Sequence, residues 1–168
     1  MEEESLMAEL ISFDNLLRVL DEYGQAIRNE YQDNLIRSDR IASGELLNSV
    51  EFEVLQNGTS FKVNLNLASY WQYLEKGTNP HKPPISALLK WIEMKPILPR
   101  ANDFGKIPTP LQLAFAIRTK IGKEGTEGTG DLQRAAQTIN DQWRDKIVEA
   151  FTQDVQNTMD GYIIEFFK

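Results

Sequence analysis

The segment VEFEVLQNGTSFKVNLNL, residues 50–67, carries the clearest periodic pattern of the chain and decides its fold class. Apolar and acidic residues alternate from Val50 to Val54, and apolar and polar residues alternate again from residue 61, with the period of two that is typical of β-strands. The Asn57-Gly58 pair between them tolerates the positive φ angles of tight turns. We therefore predict a hairpin over about residues 48–67. Its second strand has an apolar face that needs a cover: Phe61, Val63, Leu65 and Leu67.

Two long amphipathic helices are predicted to flank this hairpin and to cover it. Within residues 13–36 apolar side chains recur three or four positions apart, the spacing of one helical stripe. Asp14 is the candidate N-cap, and Gly24 indicates either a local kink or a close packing contact. The second helix begins at Asp131, and its apolar residues lie mostly four apart: Leu132, Ala135, Ile139, Trp143, Ile147, Phe151, Val155 and Met159. Gly161 is a candidate break, which leaves residues 162–167 (YIIEFF) as a last helical turn or an added strand.

The residues between the hairpin and the last helix predict shorter helices and two loops. Residues 68–76 fit a strand extension or a short helix, and the spacing of Tyr70, Tyr73 and Leu74 favours the helix, ended by Gly77 in the left-handed conformation. Three prolines make residues 78–84 a stiff, protruding loop. Further helices are predicted over residues 85–94 and 110–121, followed by a flexible glycine-rich loop over 122–130. These elements predict a single α+β domain over residues 1–168, with an N-terminal arm over 1–12.

Composition excludes several classes of protein. The 168 residues are 41% hydrophobic, enough for a globular core, and include no cysteine, which excludes disulfides, thiolate zinc sites and cysteine nucleophiles. The chain starts without the basic and apolar regions of a signal peptide, and no stretch approaches the ~20 apolar residues of a membrane span. We therefore expect no membrane partner. The net charge of −7 argues against a general nucleic-acid binder, because phosphate affinity comes from clustered Lys and Arg.

The charge is distributed unevenly along the chain. Residues 1–58 carry 13 acidic and 4 basic side chains, residues 59–130 carry 5 and 10, and residues 131–168 carry 7 and 4. The middle of the chain is therefore basic between acidic ends. This is either ordinary solvated surface or a pattern by which copies or partners meet acidic face to basic face.

The sequence presents no catalytic pattern. His81 is the only histidine, and its loop offers no nearby acid except Glu75, whereas a metal site needs three or four converging ligands. The glycines of residues 122–126 lack the spacing of a phosphate-binding loop, and no nucleophile-elbow pattern occurs. We predict no catalytic residue, no cofactor and no metal, and therefore no enzyme.

Four short motifs follow one another in a specific order. Before the first strand stand Ser43, Gly44, Leu46 and Ser49; the central motif has Tyr70, Tyr73, Glu75, Gly77 and Thr78; the loop after it has Pro80, His81, Pro83 and Pro84; and a later helix ends in Glu124, Gly125 and Thr126. In this order, over residues 10–160, the chain resembles the tail-completion or head-to-tail joining proteins of tailed bacteriophages, small components of the neck. It departs from them in having Gly128-Thr129-Gly130 where a proline-phenylalanine pair is common.

The resemblance implies a virion structural protein rather than an enzyme. Proteins of this family assemble as a ring at the portal vertex, between the head connector and the tail, with genomic DNA passing through the channel without sequence-specific binding. The implied partners are other copies of this chain, portal or head-connector proteins, and tail or other neck proteins. The implied location is the neck of the virion, assembled in the host cytoplasm. A non-viral adaptor or protein-binding module without catalytic activity remains the alternative.

The resemblance and the physical character of the motifs together predict a set of interface residues. A stiff loop loses little entropy on docking, and the apolar tail should not stay in water. Trp71, opposite Tyr70 and Leu74, is the main aromatic candidate. Glu75, Gly77 and Thr78 have either local structural roles or a direct intersubunit role. The full predicted set is Trp71, Glu75, Gly77, Thr78, Pro80, His81, Lys82, Pro83, Pro84, Glu124, Gly125, Thr126, Ile163, Ile164, Phe166 and Phe167.

Overall fold

The computed structural model describes residues 11–39, 41–95, 97, 99 and 105–166. In chain order the elements in these ranges are α1 (Asp14–Arg37), α2 (Glu45–Ser49), β1 (Glu51–Asn57), β2 (Ser60–Asn66), α3 (Trp71–Lys76), β3 (Gly77–Thr78), α4 (Ile85–Met94), α5 (Pro110–Glu124), β4 (Thr126–Glu127) and α6 (Asp131–Phe166). β1 pairs with β2 and β3 with β4, both antiparallel. The predicted α+β class with long first and last helices is confirmed.

The described residues pack into two compact units. The first contains the described parts of Met1–Asp33, Val50–Leu67 and Gln133–Lys168, and so holds the hairpin and most of both long helices. The second contains the described parts of Asn34–Ser49 and Ala68–Leu132, and so holds the shorter helices and the β3–β4 pair. The expectation of one domain over residues 1–168 stays a prediction.

In the first unit the β1–β2 hairpin packs on α1, as the sequence predicts. Phe52 pairs with Leu65, Val54 pairs with Val63, and only Gly58 and Thr59 lie between the paired strand ends. Gly58 has φ of +60°, and a glycine at this first turn position is typical of a type II′ turn. The apolar face of the hairpin contacts a buried cluster from the start of α1: Phe13, Leu16 and Leu20. Ile147 of α6 packs against the same cluster.

Gly24 marks a close packing contact inside α1. A Cβ atom at this position would lie 2.3 Å from Cδ2 of Phe52, far inside van der Waals contact. α1 continues as one helix on both sides of Gly24. Of the two predictions for this glycine, the close contact is therefore confirmed: the missing side chain lets the aromatic ring of β1 lie directly on the helix backbone.

The N-terminus of α1 is capped by a residue that is distant in sequence. Asp154 of α6 is only 3% exposed, and its carboxylate accepts hydrogen bonds from the backbone N–H groups of Asn15 (3.2 Å) and Leu16 (2.8 Å). The side-chain amide of Asn15 donates a third hydrogen bond, of 2.7 Å. A carboxylate here satisfies the free N–H groups and interacts favourably with the helix dipole. The predicted cap, Asp14, is instead the first residue of the helix.

The apolar residues of α6 do not all face the core. Ala135 and Ile139 are buried, but Phe151 and Met159 are exposed. Residues spaced strictly by four advance about 40° around a helix at each step, because a turn takes 3.6 residues. Phe151 therefore lies nearly opposite Ala135, and the apolar residues of the predicted amphipathic helix do not share one buried face in its second half.

The C-terminal segment is helical. α6 continues through Gly161 to Phe166, so the candidate break at this glycine is wrong. Residues 162–166 of the YIIEFF tail therefore form helical turns rather than an added strand. Phe167 and the side chains of Ile164 and Phe166 lie outside the described part of the chain.

In the second unit α4 and α5 pack against each other around a small core. Its buried members are Leu88, Ile92 and Ala114. α4 has the predicted bounds, and α5 extends three residues beyond the predicted end at Ile121. α5 begins with a capping box, in which Thr109 and Gln112 bond reciprocally. The short helix α2 was not predicted; it occupies the residues expected only to approach the first strand.

Candidate functional site

Two of the sequence motifs meet in a short antiparallel ribbon within the second unit. β3 follows α3 and β4 follows α5, and their register pairs Gly77 with Glu127 and Thr78 with Thr126. The ribbon therefore joins the motif E-K-G-T of residues 75–78 to the motif E-G-T of residues 124–126. The sequence predicted both motifs as contact sites but not that they pair with each other.

Gly77 and Gly125 have nearly the same conformation and equivalent surroundings. Their φ and ψ angles are 75° and −169° for Gly77 and 74° and −153° for Gly125, and such positive φ values strongly favour glycine. A Cβ on Gly77 would lie 2.1 Å from the carbonyl oxygen of Thr126, and one on Gly125 would lie 2.0 Å from that of Thr78. Each glycine thus makes room for the opposite strand. Gly77 ends its helix as predicted, but with an extended ψ that leads into β3 rather than the left-handed conformation.

The predicted flexible loop over residues 122–130 is instead largely bonded structure. Its first three residues belong to α5, and Thr126–Glu127 is β4. The N–H groups of Thr129 and Gly130 donate to the carbonyl oxygens of Leu74 and Glu75, at 2.9 and 3.2 Å. A Cβ on Gly128 would lie 2.3 Å from the Glu75 carbonyl oxygen. The glycines of this segment therefore permit close backbone packing onto the end of α3.

Glu75 caps the N-terminus of α6. Its Oε2 atom accepts a hydrogen bond of 2.9 Å from the backbone N–H of Leu132. The neighbouring Asp131 is fully buried and accepts a 3.0 Å hydrogen bond from the Ser38 hydroxyl, while its carbonyl oxygen accepts one from the side chain of Asn34. Of the two predicted roles for Glu75, these contacts support the structural one, although the helix that it caps is distant in sequence.

The proline-containing loop after β3 is tied to the end of α5. The backbone N–H of His81 donates to the carbonyl oxygen of Ile121 at 3.3 Å, and its Nδ1 atom lies 2.9 Å from the Asn79 carbonyl oxygen. The hydroxyls of Thr78 and Thr126 lie 2.9 Å apart. Pro83 is half-buried, and the other side chains of residues 79–84 are exposed. The loop is therefore anchored through its backbone while it presents most of its side chains to solvent.

Tyr73 is the exposed aromatic residue of this region. Its side chain is 65% exposed, whereas the favoured candidate Trp71 is half-buried. Tyr73 lines a shallow depression together with Thr78, Asn79, Pro80 and His81. The sequence pattern grouped Tyr73 with Tyr70 and Leu74, but α3 has only six residues, too few turns for periodicity to define a buried face.

The first motif and the central motif meet around a second cavity of the same unit. This cavity has a volume of about 230 Å³, and its lining includes Ser43, Leu46, Tyr70, Leu74 and Trp91. Burial raises the pKa of the Tyr70 hydroxyl and the Glu45 carboxylate raises it further, while hydrogen bonds with Leu46 and Ser43 act in the opposite direction. The cavity is smaller than the ~300–1,000 Å³ of most ligand pockets, so it suits a single side chain.

An exposed apolar patch lies at the start of α5 and was not predicted. Ile107, Leu111 and Phe115 are spaced four apart, and each is at least half exposed. Leu111 and Phe115 lie about 60° and 100° around α5 from the buried Ala114, so they flank the side of the helix that faces the core. Of the predicted tail residues, Ile163 is exposed on α6.

Within the described ranges no group of three or more His, Asp or Glu side chains is placed to hold a metal ion. No helix in the described part of the chain is both long and apolar enough to cross a bilayer. Comparisons with protein-family models, with curated proteins and with solved structures found no match to this chain.

Proposed function

We propose that this chain is a structural protein of the neck of a tailed bacteriophage, where a ring of copies joins the portal or head connector to the tail. In this proposal the chain works by docking onto other proteins and catalyses no reaction. Its partners are other copies of itself, portal or head-connector proteins and tail proteins, and DNA passes through the ring without being read.

The observation that carries the proposal is that the resemblance motifs belong to one compact unit and bond to one another. Thr78 pairs with Thr126, and Glu75 caps the helix that follows the second glycine-threonine motif. Ser43 and Leu46 of the first motif line one cavity together with Tyr70 and Leu74 of the central region. Motifs that are weak one by one are therefore parts of a single local structure, which supports reading them together.

The ribbon and its loop have the rigidity that a docking element needs. Backbone hydrogen bonds from His81 to Ile121 and from Thr129 to Leu74 hold the segment at both ends. The prolines of the loop fix further backbone angles. A surface ordered in advance loses little conformational entropy on binding, so more of the contact free energy remains as affinity.

The second unit also exposes the kind of side chains that protein interfaces use. Tyr73 stands beside the loop, Leu111 and Phe115 are exposed on α5, and Ile107 is exposed just before this helix. Tyrosine is enriched among residues that dominate binding energy, and contiguous exposed apolar patches commonly mark interaction sites. A ring of identical copies requires heterologous contacts, in which one surface of each copy meets a different surface of the next.

The proposal is tested by expressing the chain with the portal and tail proteins encoded beside it in its genome. Size-exclusion chromatography with light scattering and negative-stain imaging should show a ring of this chain on the portal. A genome with neither portal nor tail genes near this one, or a chain that binds neither protein, would overturn the proposal.

A matched pair of double variants tests the docking surface itself. Tyr73→Ala with His81→Ala removes two exposed side chains from the depression and keeps the backbone hydrogen bond to Ile121. We expect this variant to bind the portal and tail proteins at least tenfold more weakly. The control is Leu55→Ala with Lys62→Ala, which removes two exposed side chains that face each other across the hairpin. This control variant should bind the portal and tail proteins normally. Equal effects of the two variants would reject this surface as the docking site.

A further inference from the structure

The second half of α6 carries an exposed apolar stripe that the described residues leave uncovered. We define the α6 stripe as Val148, Phe151, Val155, Met159 and Tyr162. Val155 is half-buried, and the other four are 59%, 45%, 58% and 41% exposed. At about 100° per residue the five side chains fall within an arc of roughly 80° on the helix. The stripe is therefore one continuous surface rather than scattered apolar residues.

This stripe is separate from the face of α6 that packs inside the first unit. The inward face of the same turns carries Ile147, Ala150 and Asp154, which lie roughly 80–140° around the helix from the stripe centre. Phe151 stands at the border, because its ring stacks on Phe13 with the centroids 6.1 Å apart. The internal core thus accounts for the inward face but not for the stripe.

The spacing of the stripe is symmetric about its central residue. The five residues are separated by 3, 4, 4 and 3 positions, so the order reads the same in both directions from Val155. If a second α6 lies antiparallel, Val148 stands opposite Tyr162, Phe151 stands opposite Met159, and Val155 meets its own copy. This is the self-complementarity that an isologous, two-fold contact requires.

We propose that the α6 stripe binds the α6 stripe of a second copy of this chain, antiparallel, about a two-fold axis at Val155. The contact is independent of the neck function, because it uses the first unit and none of the resemblance motifs. It forms between free copies in solution.

The size of the stripe sets the strength of the contact. Aromatic side chains such as those of Phe151 and Tyr162 carry about 150–250 Å² each, and the two valines and the methionine carry less, so the open half of the five comes to roughly 400 Å² per copy at most. Two copies then bury about 800 Å², less than the ~1,200–2,000 Å² of stable interfaces. The dimer is therefore weak and forms as the protein concentration rises.

The charges around the stripe favour a second copy over the chain's own first ten residues. The nearby acids Glu149 and Asp160 lie more than 90° around the helix from the stripe centre, so a second stripe meets an uncharged surface. Residues 1–10 instead contain four glutamates. Covering an apolar stripe with a segment this rich in carboxylates would cost desolvation free energy, whereas a second apolar stripe carries no such cost.

Sedimentation equilibrium of the full chain over about 1–200 µM tests the proposal. We expect a monomer–dimer equilibrium, with Val148→Lys and Tyr162→Glu each raising the dissociation constant at least tenfold. The double variant should recover most of the affinity, because an antiparallel pair places the new lysine opposite the new glutamate. A monomer at every concentration, or a dimer indifferent to Val148→Lys, would overturn the proposal.

Cysteine cross-linking tests the axis, since the native chain has no cysteine. Val155→Cys should form a disulfide-linked dimer on mild oxidation, whereas Asn157→Cys, exposed on the opposite side of α6, should not. Equal cross-linking, or no recovery in the lysine–glutamate double variant, would reject the antiparallel arrangement.

Dimers that appear only after removal of residues 1–10 would show that those residues cover the stripe, and would overturn the proposal for the full chain. A dimer in a chain that joins no portal would leave this inference standing and reject only the neck function.

Discussion

The β1–β2 hairpin and the β3–β4 ribbon are both antiparallel pairs, but they are held together in different ways. The hairpin has seven residues in each strand, a two-residue turn and an apolar face that packs on α1. The ribbon has two residues in each strand, contributed by segments almost 50 positions apart. A ladder of two residue pairs contributes little stability by itself.

The difference shows where the free energy of each pairing lies. The hairpin spreads its stabilisation over many side chains, so no single position decides it. The ribbon depends on the ends of α3 and α5, on the cap from Glu75 and on glycines that allow two backbones to touch. A single added methyl group should therefore damage the ribbon far more than the hairpin.

The largest effect is expected for Gly125→Ala. The new Cβ would lie 2.0 Å from the Thr78 carbonyl oxygen, and φ of +74° is strained for alanine. These two penalties together should lower the free energy of unfolding of the second unit by about 3 kcal/mol or more. Hydrogen exchange should accelerate at Thr129 and Gly130 and stay unchanged in β1 and β2. Unchanged protection of Thr129 would contradict the account of the ribbon.

Asp154→Ala tests whether the stability of the first unit also depends on one residue that is distant in sequence. The change removes the acceptor for the N–H groups of Asn15 and Leu16 and for the Asn15 amide. Leaving buried donors unsatisfied costs about 1–3 kcal/mol, so we expect about 2 kcal/mol in urea denaturation. Asp160→Ala, at an exposed position of the same helix, is the control and should change stability by less than ~0.5 kcal/mol. Equal effects of the two changes would show that Asp154 is not the cap.

Glu75→Ala tests the link between the ribbon and α6. Loss of the charged cap at Leu132 should cost about 1 kcal/mol, the usual value for a helix N-cap. Glu75→Gln keeps an acceptor and should lose less than half of that. Circular dichroism during urea denaturation measures both variants. If glutamine is as harmful as alanine, the hydrogen bond is not the source of the stabilisation.

Gly58→Ala is the hairpin counterpart of the change at Gly125. Its φ of +60° is also positive, but no atom lies within 4 Å of the position that a Cβ would take. Alanine should therefore cost only about 1 kcal/mol, the backbone penalty without a steric clash. A loss as large as that of Gly125→Ala would mean that backbone strain, rather than the close approach of the opposite strand, controls the ribbon.

The smallest effect on stability is expected for Thr78→Val combined with Thr126→Val. The two hydroxyls bond to each other at the ribbon, and valine has a similar shape and high strand propensity. The free energy of unfolding should change by less than ~0.5 kcal/mol. If the ribbon docks onto a partner, this double variant should fold normally but bind the portal more weakly. A loss of stability above ~1 kcal/mol would assign the hydroxyl pair a role in the fold instead.

Local patterns predicted the elements that local forces create. The alternation around Asn57-Gly58 located the hairpin, and the spacing of apolar residues located α1, α4 and α5. Prediction failed in α6, where a run of residues four apart winds from the buried face to the exposed one. It failed also at Tyr73, because one and a half helical turns do not define a face. The sequence identified both glycine-threonine motifs, but the two threonines lie 48 positions apart, and no local pattern predicts pairing over that distance.

The sequence by itself therefore determined the class of the fold, the bounds of most helices, and the glycines and the glutamate that matter at the candidate site. Tertiary structure decided what those residues do: Gly77 and Gly125 make room for each other's strands, Glu75 caps α6, and Asp154 caps α1. The physical reason is the distance along the chain over which each effect acts. Periodicity and turn preferences act over a few neighbouring residues, whereas a cap or a close backbone contact requires two distant segments to be brought together by the packing of everything between them.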